Sequence, residues 1–203
     1  MDFIKNIVAR FDWSITFFTV MEIILVISIY PFMQYANPVF FMENGIVENF
    51  QLLILFFAMI ICLTSKQNKQ LFLFCAFIVV FLMIRETNLG RSYFCAKYLT
   101  PTDVCKWQNL KYGYMADWVR IFYALVIAVY AIYVKIWKII WLYVKKAPIY
   151  VWEFLLMIIG IIGGTLAEKP SFDSEIAEEC FETLFYICLC YTLWRYTRHQ
   201  IQK

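Results

Sequence analysis

Glu175, Glu178, Glu179 and Glu182 stand at i, i+3, i+4 and i+7, a spacing that sets four carboxylates on one face of a helix. They open a segment that otherwise reads as membrane-spanning. Acids at membrane depth are costly, and where they occur they mark a pathway, a relay or a paired site. Like charges one turn apart repel, more strongly in a low dielectric. The dipole of a helix N-terminus offsets part of that repulsion. Cations, bound protons or basic partners must supply the rest. Arg85, Arg91 and Arg120 are the basic residues placed to do so.

Other segments carry matching groups. Asn44, Glu48 and Gln51, at i, i+4 and i+7, form a polar stripe on an otherwise apolar helix, which should face the bundle interior. Glu43 stands just before it. Arg85, Glu86, Asn88 and Arg91 close a further apolar run, and their guanidinium groups suit bidentate capture of a carboxylate or phosphate. Asp117 and Arg120 can pair at i and i+3. Glu178, Glu179 and Glu182 with Glu43, Glu48, Arg85, Glu86, Asn88, Arg91 and Arg120 are therefore the candidate substrate- or ion-binding residues. Glu22 is separate, near the middle of the first apolar run with no basic residue at its depth in that helix. It is either a neutral acid bonded to a neighbouring helix or a proton or cation relay.

The elements that position these groups follow from composition. The chain has 203 residues, 63% hydrophobic and 16% charged. A soluble domain needs more polar cover than that, so lipid is the expected surrounding and the bilayer the expected partner. A hydrocarbon core of ~30 Å takes about 20 apolar residues per helix. Six spans are predicted, at about 11–33, 46–63, 71–86, 117–138, 149–167 and 176–196, with a loop over about 87–116. Long runs in place of short alternating segments exclude a barrel. The expected fold is an all-α polytopic transmembrane helical bundle forming a single domain over 1–203. The first run is full-length and lacks a small-x-small cleavage site, so a cleaved signal peptide is not expected.

Basic residues set the threading. Of 18 Lys and Arg residues, 11 fall on one side if the N-terminus is cytoplasmic: Lys5, Arg10, Lys66, Lys69, Lys135, Lys138, Lys145, Lys146, Arg195, Arg198 and Lys203. Both termini are therefore expected to be cytoplasmic. The four lysines from Lys135 to Lys146, mixed with Trp137, Trp141 and Tyr143, read as an interfacial collar. The acidic face and its companions then converge on the opposite, periplasmic leaflet. Glu153 reads as interfacial at the cytoplasmic end of the fifth span.

Gly160 and Gly164 form a G-x-x-x-G pair that lets another helix approach closely, within the bundle or in a homo-oligomer. Cys95 and Cys105 share the long loop and are a candidate disulfide on an oxidising face. His199 is the sole histidine, and no P-loop, G-x-S-x-G, G-x-G-x-x-G or H-E-x-x-H is present. No cofactor is evident and no catalytic centre can be named. A metal, if bound, would be a hard divalent cation held by carboxylates. The net charge of +3 is too small to suggest a nucleic-acid partner.

Glu86 to Arg91, followed by Tyr93 and Phe94, resembles an acid-rich turn of the form E-E-x-S-W-G-Q-R-x-F found in an uncharacterised group of small bacterial polytopic inner-membrane proteins. Glu43-Asn44-Gly45 and the Glu178, Glu179, Glu182 face are also similar to that group's pattern. Arg85 stands in place of the first acid, and Asn88 and Leu89 in place of Ser-Trp. The resemblance implies a multi-pass protein of the bacterial inner membrane and carries no activity.

Three functions fit these residues. The first is an outward-facing cavity of carboxylates and arginines that binds a cation, proton or small polar solute, in a transporter, channel component or sensor. The second is a membrane-embedded enzyme acting on lipid headgroups at the periplasmic leaflet, with acids as base or metal ligands. The third is a structural or assembly partner whose charges form an internal ion-pair network.

Overall fold

The computed structural model describes residues 10–37, 40–41, 45–90, 110, 113–169 and 174–198. Seven α-helices run through them: α1 Phe17–Tyr35, α2 Ile46–Thr64, α3 Lys69–Glu86, α4 Tyr114–Tyr133, α5 Ile136–Lys146, α6 Val151–Ala167 and α7 Glu175–Arg198. Two short strands, β1 Phe11–Asp12 and β2 Ile149–Tyr150, pair in parallel, with Phe11 opposite Ile149. The all-helical expectation therefore stands, apart from this two-residue pairing. Three helices, α1, α2 and α4, are long and apolar enough to cross a membrane. At 1.5 Å per residue, their 19 or 20 residues reach about 30 Å.

Local chemistry explains where the helices start and stop. Thr16 and Thr19 cap α1 reciprocally: the Thr19 amide donates to Thr16 Oγ1 at 3.2 Å and the Thr16 amide to Thr19 Oγ1 at 3.1 Å. Asn68 Oδ1 accepts from the Leu71 amide at the start of α3. Past the end of α3, Asn88 and Leu89 take left-handed φ values of 44° and 55°, which turns the chain sharply off the helix axis. Lys135 is also left-handed, with φ 53°. The fourth span expected to run to about residue 138 is thus broken at Lys135, and α5 starts as a separate helix with its lysines and tryptophans. Sequence pattern alone does not register that break, because Lys is an ordinary helix former.

α7 is the central element and packs against α6, α2 and α1. One core joins α2, α3 and α7 through Leu55, Ala58, Phe72, Val79, Tyr186 and Leu193. Another joins α6 and α7 through Leu156, Leu184 and Cys188, with Ile23, Leu25 and Val26 of α1 packed against them. Gly160 lets α6 sit directly on α7: a Cβ there would lie 2.9 Å from the Phe181 carbonyl oxygen. The G-x-x-x-G face is thus occupied by α7 of the same chain. By contrast α4 buries only Ala116 and leaves Trp118, Phe122, Leu125, Val129 and Ile132 exposed, leaning on α3 through the ring pairs Phe77–Tyr130 and Phe81–Tyr123.

Candidate functional site: two polar clusters at opposite ends of the bundle

The N-terminal half of α7 meets the N-terminus of α2 and the C-terminus of α3, and their polar residues line one recess of about 310 Å³. Glu48 comes from α2, Arg85 and Glu86 from α3, Asn88 from the following turn, and Glu175, Glu178, Glu179 and Glu182 from α7, with Phe41 completing the wall. Seven of the expected residues therefore meet: Glu48, Arg85, Glu86, Asn88, Glu178, Glu179 and Glu182. Arg120 lies beside them, donating from Nη2 to Asn88 Oδ1 at 3.3 Å and pairing with Asp117 at 3.5 Å. Glu43, Arg91, Cys95 and Cys105 lie outside the described residues.

Hydrogen bonds hold several of these acids in place. Gln51 is fully buried, and its Nε2 donates to Glu179 Oε2 at 2.8 Å and to Thr183 Oγ1 at 3.0 Å. Tyr186 is buried too, and its hydroxyl donates to Glu86 Oε1 at 2.5 Å. Arg85 pairs through Nη2 with Glu182 Oε1 and lies 3.9 Å from Glu86 through Nε. A second cavity of about 310 Å³ runs between α3 and α6 and shares Arg85 and Glu182 with the first. Glu168, from the C-terminus of α6, lines that second cavity. The carboxylates of Glu168, Glu178 and Glu182 each offer an oxygen within 4.8 Å of the other two. A cation bonded at 2.3–2.6 Å fits between three oxygens so spaced. Thr183, Tyr186 and Glu168 were not among the expected site residues. Thr183 and Tyr186 continue the Glu179 face at i+4 and i+7, which was the one signal for them.

The other end of the bundle holds a cluster that sequence reasoning misread. Glu153, expected at the interface, is fully buried in the first turn of α6. Its Oε1 accepts from Arg195 Nη1 at 2.9 Å and from the Thr19 hydroxyl at 3.3 Å. Arg195, from the last turn of α7, also donates through Nη2 to Asp12 at 2.6 Å and stacks 3.6 Å over the Tyr150 ring. A lone acid at a span edge looks interfacial because its partner is 42 residues away, beyond any local periodicity. Burial alone would raise the Asp12 carboxyl, but hydrogen bonds from Ser14 and the Arg195 charge outweigh it and hold Asp12 below its ordinary value. Glu22 is fully buried in α1, with the Cys188 thiol and Glu153 as its polar neighbours, and belongs to this end and not to the recess.

No family model, curated protein or solved structure matches the chain.

Proposed function

We propose that this is a small multi-pass membrane protein whose recess binds a hard divalent cation from the side opposite its termini. The observation that carries the proposal is the charge balance of one cavity: six glutamates and a single arginine among its described lining residues. Two carboxylates about 5 Å apart repel by about 3 kcal/mol at an effective dielectric of about 20. A divalent ion bridging Glu168, Glu178 and Glu182 would turn that repulsion into ligation. Arg85 already neutralises Glu182 in part, so ligand binding would exchange an internal ion pair for a metal bond. This exchange suits a transporter, channel component or sensor, where occupancy must alter the contacts between α3, α6 and α7.

The exposed apolar surfaces of α1, α2 and α4 favour a bilayer as the surrounding. The distribution of basic residues favours a cytoplasmic location for both termini, with the recess on the outer leaflet. The resemblance of the turn after α3 to bacterial inner-membrane proteins favours that membrane. Calorimetric titration of the purified protein with Ca²⁺, Mg²⁺ and Mn²⁺ tests the proposal. Saturable binding that weakens at least about tenfold in Glu178→Gln is expected, given the loss of one of three charged ligands. Equal heats from wild type and variant would leave only the internal ion-pair network.

A further inference from the structure

We propose that Glu22 and Glu153 together form a proton-binding site, reached from the C-terminal end of α7 and separate from the outer recess. Both side chains are fully buried; Glu153 Oε2 lacks a hydrogen-bond partner, and among the described residues the two oxygens of Glu22 have only the weak thiol donor of Cys188 beside them. Of the four oxygens of the pair, the one that Arg195 and Thr19 reach is Glu153 Oε1. An ionised carboxylate with no donor stronger than a thiol in an apolar interior is so costly that a positive charge must be taken up. The groups facing the pair are few. α1 brings Thr19, β1 brings Asp12, β2 brings Tyr150, and α7 brings Cys188, Tyr191 and Arg195.

That inventory selects a proton over a metal ion. A hard cation needs six or more oxygen ligands, whereas Glu22 has Glu153 and the Cys188 thiol as its polar neighbours, and Ile23 and Val26 beside it on α1 pack into the apolar core of Leu156, Leu184 and Cys188. A proton needs one donor oxygen and one acceptor. Arg195 donates to Glu153 and not to Glu22, so Glu22, with no cation beside it among the described residues, is the carboxyl assigned the proton.

Access is one-sided. Leu184 and Phe181 lie one and two turns from Cys188 toward the recess, and with Leu156 they close the route outward. Inward, a cavity of about 250 Å³ lined by Tyr150, Tyr191, Trp194, Arg195 and Arg198 reaches the Arg195 side of the pair. The Thr192 hydroxyl, buried without a partner, falls on the same α7 stripe as Cys188 and Arg195. It is a polar stepping point along that route.

Infrared difference spectroscopy on the full chain in lipid nanodiscs reads the carbonyl stretch of protonated carboxyl groups during a pH titration. The wild-type protein is expected to show a band that fades reversibly as pH rises. Glu22→Gln is expected to lose one component of that band that Glu179→Gln keeps. Because Gln mimics the protonated acid in shape, the Glu22→Gln melting temperature at neutral pH is expected within about 3 °C of wild type. Should that variant fail to fold, Glu22→Asp keeps the carboxyl and should move the band without abolishing it. A band unchanged in Glu22→Gln, or unaltered in Glu22→Asp, overturns the proposal. So does a stabilisation by Na⁺ or K⁺ that Glu22→Gln abolishes, since it would put a metal ion where the proton is assigned.

Discussion

Arg195→Gln removes one guanidinium and uncouples three elements at once: β1 through Asp12, α6 through Glu153, and β2 through the Tyr150 ring. The largest part of the effect comes from Glu153. Its side chain has no solvent exposure, and Arg195 is only 13% exposed, so water cannot replace the lost partner. Breaking a buried pair in this way costs about 3–5 kcal/mol. Asp12 is nearly a third exposed and adds about 0–1 kcal/mol. At about 2–4 °C per kcal/mol for a chain of this size, a drop of roughly 6–24 °C in Tm follows. Reversible unfolding in mixed micelles measures it, in parallel with Glu153→Gln and the double variant. Because the double variant removes both charges, it should recover at least half of the loss. A cost below about 1 kcal/mol for Arg195→Gln, or a double variant no better than the single one, would refute the assignment of Arg195 as the counter-charge of a buried acid.

Three further outcomes are expected. Gly160→Ala should destabilise by about 1–3 kcal/mol, because its Cβ meets the α7 backbone, while Gly164→Ala, with 3.8 Å of clearance, should stay within about 0.5 kcal/mol in the same unfolding assay. Gln51→Leu should cost about 1–3 kcal/mol by stripping the donor from Glu179, and weaken any cation binding in the recess. Asp12 has its carboxyl held below the ordinary value of 3.8, so its contribution to stability is complete above that value and lost as pH falls through the lower, folded one. An acid titration of Tm should therefore lose one step in Asp12→Asn; an identical profile would contradict the ion pair with Arg195.

Periodicity carried the outer recess well and the inner cluster badly, for a physical reason. Glu48 and Gln51 are three apart on α2, and Glu178, Glu179 and Glu182 share a face of α7, so helical spacing alone placed them together. Arg85 is one of the three arginines the sequence offers to the glutamate face, and the structure pairs it with Glu182. The inner cluster depends on Asp12, Glu22, Glu153 and Arg195, which lie on separate stretches of the chain, and only the packing of α1, α6 and α7 brings them into register. Tyr186 and Thr183 escaped notice because aromatic and hydroxyl residues are at home in apolar helices. The break at Lys135 was invisible since a left-handed lysine has no pattern of its own.

An experimental map of the protein grown with Mn²⁺ puts the cation assignment to its most direct trial. The expected result is an anomalous difference peak within about 2.6 Å of oxygens from Glu168, Glu178 and Glu182, with Arg85 drawn away from Glu182. An empty recess at saturating Mn²⁺, with the Arg85–Glu182 pair intact, would contradict it.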